Sequence, residues 1–201
     1  EDIDFDSLPD QFVLKCTHDS GGLVICKNKA KLDMKAAERK IKSSLNRQFY
    51  YVGREWAYKD VKPRIIAEKL MTESEVQDLN DYKLMVFDGK VRCSFVCTER
   101  HSQNGVHVTF YDTDWKIMPF ERHYPRSKKD IEKPVSYDEM VDLAEKLAQK
   151  LPFVRVDFYE IHGRPYFGEL TLYPGDGFEE FKPEEYDDIL GSWIKLPGGY
   201  F

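Results

Sequence analysis

Residues 153–177 read FVRVDFYEIHGRPYFGELTLYPGDG, two alternating runs separated by His162-Gly163-Arg164, which is the pattern of a β-hairpin. If those three residues form the loop, Ile161 faces Pro165. That register sets Asp157 opposite Glu169 and Arg155 opposite Thr171, with all four side chains on one face. A two-residue loop instead sets Asp157 against Gly168 and turns Glu169 to the other face. Gly163 is compatible with the three-residue, bulge-type loop. Two carboxylates directly opposed on a sheet repel unless positive charge lies between them, which Arg155 or a metal ion supplies. Oxygen ligands in that number, with room for phosphate oxygens and water, suit magnesium rather than zinc. The alternative is a surface hairpin whose acids face solvent.

Upstream of this hairpin, Met140, Leu143, Ala144 and Leu147 recur at helical spacing. They predict a helix over 136–150 whose Ser136 and Glu139 have capping-box spacing. A meander precedes it: YKLMVF from Tyr82, a turn at Asp88-Gly89, VRCSFVCTE to Glu99, and a further strand near 106–111. The charged segment 126–133 reads as a solvated loop. Arg64-Ile65-Ile66-Ala67-Glu68-Lys69-Leu70-Met71, after Pro63, reads as a buried strand. Before it lies an irregular aromatic stretch with Tyr50, Tyr51, Trp56 and Tyr58.

The N-terminal third reads as strand (12–15), glycine loop (His18-Asp19-Ser20-Gly21-Gly22), strand (23–26), then a helix over 33–46 with Asp33 as N-cap. Lys15 ends the first strand just before the loop, so its ammonium could meet a phosphate while loop N–H groups approach from the other side. A snorkelling lysine in an ordinary hairpin gives the same letters, and the GxxxxGK[ST] pattern is absent. Glu68 to Met71, closing a strand, could offer backbone groups and an acceptor to an adenine edge.

Net charge −6 argues against a general nucleic-acid binder, which needs surplus Lys and Arg to displace phosphate counterions. No window approaches the roughly 18 to 20 apolar residues of a membrane span, so the chain reads as soluble and cytoplasmic. Cys16, Cys26, Cys93 and Cys97 lack CxxC pairing and read as reduced, packed thiols. Cys16 and His18 read as strand and loop residues rather than a catalytic pair.

With FVLKCTHDSGG (12–22), GREWAYKDVKPRIIAEKLM (53–71), DYKLMVFDGKV (81–91) and RVDFYEIHGRPYFGELTLYPG (155–175) in order along the chain, the sequence resembles the ATP-grasp enzymes. It is most similar to the TupA-like family, named for teichuronopeptide biosynthesis. The resemblance implies an α+β ATP-grasp fold, two α+β lobes with mostly antiparallel sheets clasping ATP. The small lobe would span 1–70, with strands from later segments able to return to it, and the large lobe 71–201. The chain opens Glu1-Asp2-Ile3-Asp4, so a domain preceding the ATP-grasp body is expected to be missing from it.

By position, the resemblance implies that Lys15 contacts phosphate under the loop of His18, Ser20, Gly21 and Gly22. Glu68, Lys69 and Leu70 would meet adenine, and Lys83 would reach the phosphates or the acceptor. Asp157 and Glu169 would be magnesium ligands, with Arg155 beside them. Thr171 stands where the family's third ligand, an Asn, is usual, and its hydroxyl is a weaker neutral donor than an amide oxygen. The implied activity is an ATP- and magnesium-dependent ligase of the carboxylate–amine or carboxylate–thiol type, acting through an acyl phosphate in cell-surface polysaccharide biosynthesis, with Lys15, Lys83 and Arg155 in catalytic roles. Its partners would be a carboxylate-bearing sugar or polysaccharide precursor and an amine, with Arg54, Glu55, Trp56, Tyr58 and Arg100 as substrate candidates. A kinase of the same fold and a non-catalytic nucleotide-binding module are the competing readings.

Overall fold

The structure is a computed structural model describing residues 3–71, 79–99, 105–196 and 198 of the 201-residue chain; Arg100 lies outside the described residues. The chain divides into two compact units, Glu1–Met71 and Thr72–Phe201. The mixture of helices and antiparallel strands is α+β, as expected.

In the first unit, strands β1 (Phe12–Cys16) and β2 (Leu23–Cys26) flank the glycine loop, and helix α1 (Met34–Leu45) follows. Asp33 caps α1 as expected, its carboxylate accepting from the Ala36 N–H at 2.9 Å. The alternation of β1 sends Phe12, Leu14 and Cys16 inward, where they meet Val24, Cys26, Ala37 and Ile41. A short helix α2 (Tyr50–Gly53) carries the aromatic stretch towards β3 (Ile65–Lys69). The sheet order is β2-β1-β3, all antiparallel, and among the described residues no later strand joins it. The expected buried strand is corrected here: β3 is an edge strand and Ile66 is 41% exposed, because α1 packs on β1 and β2 and leaves the other sheet face open.

The second unit is built on the sheet β6-β5-β4-β8-β9. Its strands are β4 (Asp81–Phe87), β5 (Lys90–Thr98), β6 (His107–Tyr111), β8 (Phe153–Ile161) and β9 (Arg164–Thr171). The predicted Asp88-Gly89 turn joins β4 to β5 with both residues at positive φ. Leu84, Val86, Val96, Val154, Val156 and Phe158 line one face under helix α3 (Tyr137–Leu147), against Tyr137, Met140, Ala144 and Ala148. On the other face Met85, Phe87, Cys93, Phe95 and Phe110 meet Phe120 and Leu190. Around that second face lie the short pair β7 (Glu121–Arg122) and β10 (Phe181–Lys182) and helix α4 (Glu185–Gly191).

Two local expectations are corrected. The capping box at α3 does not form: the Ser136 backbone N–H and hydroxyl both donate to Glu160 Oε2, at 2.7 and 2.5 Å, because β8 delivers that carboxylate to the helix start before Glu139 is needed. The hairpin loop is also shorter than the three-residue reading. Ile161 pairs with Arg164 across His162-Gly163, both at positive φ, a type I′ geometry. The register then shifts between Asp157 and Phe158, leaving Gly168 unpaired as a β-bulge, and beyond it Asp157 faces Glu169 and Arg155 faces Thr171. The bulge undoes the one-residue offset that a two-residue loop would impose.

Candidate functional site

Strand β4 is central and buried along its whole length, yet it carries Asp81 and Lys83. Charges in such a position are tolerated only when paired, since desolvation of a lone ion costs several kcal/mol. The register supplies the partners. Lys83 faces Asp157 on β8, Met85 faces Arg155, and β8 faces β9 through Asp157–Glu169 and Arg155–Thr171. With a period of two, Asp81, Lys83, Arg155, Asp157, Glu169 and Thr171 stand on one face of the sheet.

The side chains form a continuous ionic network. The Lys83 ammonium lies 2.8 Å from Asp81 and is also ion-paired with Asp157. Arg155 holds Asp157 as a fork, Nε to Oδ1 at 2.7 Å and an Nη to Oδ2 at 2.8 Å, and the same Nη donates to Glu169 Oε1 at 2.8 Å. The Thr171 hydroxyl donates to Glu169 Oε1 at 3.1 Å. Asp157 is 2% exposed, whereas the Glu169 side chain is 59% exposed, so one carboxylate is fixed and the other opens outward. Burial by itself would lower the Arg155 pKa. The Asp157 hydrogen bonds and the charges of Asp157, Glu169 and Asp81 outweigh it and hold Arg155 above its ordinary value.

The donors Asp157, Glu169 and Thr171 are all oxygens on one face, two of them anionic. Among the described residues no set of three or more His, Cys, Asp or Glu is placed to hold a metal by itself. This inventory fits magnesium, which takes one or two carboxylates and completes its octahedron with water and phosphate oxygens.

Behind the network lies the Phe95 ring, with the Arg155 guanidinium 5.9 Å and the Arg122 guanidinium 4.9 Å from its centroid. Burial lowers the Arg122 pKa, opposed by Glu179 at 2.9 Å. Cys93, on the same face, is fully buried and its thiol is pushed up to about 12, which makes it inert packing rather than a nucleophile.

The first unit brings together two more of the expected residues. Val13, Lys15, Leu23, Ile25, Ile66 and Glu68 share the sheet face away from α1. There the Lys15 ammonium pairs with Glu68 at 2.5 Å, both side chains about two-fifths exposed, with Ile25 and Ile66 beside them 53% and 41% exposed. A cation and an acceptor on an open apolar surface can meet phosphate and a flat base. Lys69 points to the opposite face, and Leu70 follows the end of β3, half-buried.

The glycine loop is moored to the end of α1. Asp19 accepts from Arg47 Nε at 3.0 Å and Nη at 2.5 Å and from the Ser44 hydroxyl, and Arg47 also donates to the Ser20 carbonyl. Gly22 is required because a Cβ there would collide with Ser44, while Gly21 sits at φ +81°. His18 is turned inward, its Nε2 against the Arg47 carbonyl at 3.0 Å, so Ser20 and Gly21 form the loop's exposed tip. Of the substrate candidates, Trp56 is 64% exposed under the Lys59 ammonium and Arg54 lies over Tyr51. Glu55 is buried and Tyr58 packs edge-on against Phe49.

The sequence reading assigned no role to Asp81, Ser44 or Arg47. Asp81 carried a signal, since it stands two residues before Lys83 in a strand and therefore shares its face. Ser44 and Arg47 carried none, because their partners lie more than twenty residues away.

The family model described as TupA-like ATPgrasp matches residues 1–195. Among solved structures, the chain is similar to a D-alanine–D-alanine ligase from Bacillus anthracis complexed with ATP. That match has TM-score 0.50 and 19% identity, over 85% of this chain and 45% of that one. A second structure of the Bacillus anthracis ligase matches with TM-score 0.46 and 21% identity, over 95% and 54% of the two chains. The ATP-grasp ligase PsnB complexed with minimal precursor matches with TM-score 0.42 and 13% identity, over 80% and 40%. No curated protein matches. The chain spans about half the length of these solved structures.

Proposed function

Because the chain belongs to the TupA-like ATP-grasp family and has the ATP-grasp fold, we propose that it is the nucleotide-binding body of an ATP- and magnesium-dependent carboxylate–amine ligase. The observation that carries this reading is the pairing of Asp157 with Glu169, beside Arg155 and Lys83, on one face of the five-stranded sheet. The ATP complex of the Bacillus anthracis ligase supports the nucleotide, and the oxygen donors of Asp157, Glu169 and Thr171 on one sheet face support the metal.

In this reading Lys15 contacts phosphate beneath the exposed tip of the glycine loop, and Glu68 with Leu70 meets adenine. Asp157, Glu169 and Thr171 would hold magnesium, which when bound neutralises charge on phosphoryl oxygens. Arg155 fixes Asp157 in orientation through its two-pronged hydrogen bond, and Lys83 brings an ammonium to the same place. A substrate carboxylate attacks the γ-phosphorus, releasing ADP and forming an acyl phosphate, and an amine then displaces phosphate to leave an amide. Positioned positive charge is nearly all a protein contributes to the first step. The acceptor is a carboxylate-bearing sugar or polysaccharide precursor. Arg54 and Trp56, exposed together, suit a carboxylate and a sugar face.

Calorimetry of ATP with and without magnesium tests the proposal on the chain, its Lys15→Ala variant and its Asp157→Asn plus Glu169→Gln variant. Magnesium-dependent binding weakened by both changes is the expected result. A folded chain that binds no nucleotide with magnesium present overturns it. With sugar acids and amines supplied, amide formation with release of phosphate is expected, and a stable phosphorylated product would mark a kinase instead.

A further inference from the structure

Asp157 as it stands leaves little for a metal. Its Oδ1 accepts from Arg155 Nε, and its Oδ2 accepts from an Arg155 Nη and is paired with the Lys83 ammonium. Arg155 has a second anchor in Glu169 and can share Asp157 with a cation without losing all its partners. Lys83 is the competitor. Its side chain is 9% exposed, too enclosed to release Asp157 and turn to water, and an unpaired ammonium at that depth is strongly disfavoured. The second carboxylate within reach is Asp81, at 2.8 Å, also buried and on the same strand and face.

We infer that Asp81 is a positioning residue: it retains the Lys83 ammonium when a divalent cation takes Asp157, so that Lys83 and the metal occupy the site together instead of excluding one another. This rests on the proposed magnesium–nucleotide reading and extends it to a residue that needs to touch neither metal nor substrate. It also explains why a central, fully buried strand carries two charges spaced by two residues. One of them is the cation that approaches the site, and the other sets how far it moves. Without Asp81, Lys83 is held by Asp157 alone and competes with the metal for Oδ2.

The test is a titration of magnesium, and separately of manganese followed by its electron-spin signal, into the full chain with ADP. Wild type is compared with Asp81→Asn, Lys83→Gln and the double variant. Asp81→Asn is expected to raise the half-saturating metal concentration about tenfold or more, the usual scale for losing a residue that supports a metal ligand. Removing the competing ammonium in the double variant is expected to recover a clear part of that loss, the remainder reflecting the missing ammonium itself, whose size Lys83→Gln alone measures. An Asp81→Asn variant with unchanged metal dependence, or a double variant as impaired as the single one, overturns the inference, the latter because the loss would then not pass through Lys83. Wild type that takes up no metal with ADP sinks this inference together with the ligase reading, whereas metal uptake indifferent to Asp81 sinks this one alone.

Discussion

Gly168→Ala probes the bulge that brings Asp157 and Glu169 face to face. A Cβ at residue 168 would stand 3.1 Å from the Asp157 carbonyl oxygen and 3.3 Å from Tyr159 Cε2, a few tenths of an ångström inside ordinary contact of about 3.5 Å or more. The Tyr159 ring can swing aside, but the Asp157 carbonyl belongs to the backbone and cannot, so β9 must retreat from β8. Overpacking of this kind costs about 1–3 kcal/mol. Reduced freedom of the unfolded chain returns about 0.4–1 kcal/mol of that. A net loss of about 1 kcal/mol remains, which for a unit of this size lowers Tm by roughly 3–5 °C. Because the retreat begins beside Glu169, magnesium-dependent nucleotide affinity is expected to fall as well, by about 3-fold or more, where about 1.4 kcal/mol is tenfold. Thermal melts followed by circular dichroism, with calorimetry of ADP and magnesium, measure both. An Ala variant as stable as wild type, or more so, with unaltered metal-dependent binding would refute the reasoning.

In the first unit, Gly22→Ala drives a methyl into Ser44, whose Cβ would lie 2.7 Å away. A loss of about 1–3 kcal/mol in urea melts is expected, and Ser44→Ala recovers only part of it, since it removes the hydroxyl, the nearest atom, but leaves Cβ and the Asp19 carboxylate in the way. Burial raises the Cys93 thiol from 9.0 to about 12, so the unfolded chain releases its proton first. The stabilisation is therefore intact below about pH 9 and lost as pH rises from there towards 12; urea midpoints across that range should fall more steeply for wild type than for Cys93→Ala, and Cys93 should resist thiol reagents at neutral pH until the chain unfolds. Tyr137→Phe removes the buried hydrogen bond between its hydroxyl and Ser94, 2.8 Å long, and strands the Ser94 oxygen. The expected cost is about 1–2 kcal/mol, which Ser94→Ala in the same chain reduces.

The hairpin's acidic face was legible because strand alternation is a local rule, and Arg155, Asp157, Glu169 and Thr171 keep to it on the two strands beyond the bulge. How they come to be opposed was not, since neither the type I′ turn nor the extra residue at Gly168 follows from letters that suit a three-residue loop equally well. Helix α1 and its Asp33 cap were readable for the same local reason, as was the Asp88-Gly89 turn. Exposure of β3 was not, because Ile65-Ile66 looks buried in any sequence and only the placement of α1 on β1 and β2 decides the matter. Lys83 was readable as a basic residue in a strand with Asp81 on its face, but its other partner, Asp157, required the β4–β8 register, and pairing between strands more than seventy residues apart leaves no local trace.

The contact from Ser136 to Glu160 gives α3 a non-local beginning. Its first turn is closed by a carboxylate twenty-four residues downstream, one that arrives only when β8 is in place. A peptide cut from residues 134–150 would lack that closure, and at this length isolated helices are marginal in water in any case. The helix thus leans on the sheet beneath it for the closure of its first turn, and its amides should lose exchange protection together with those of β8.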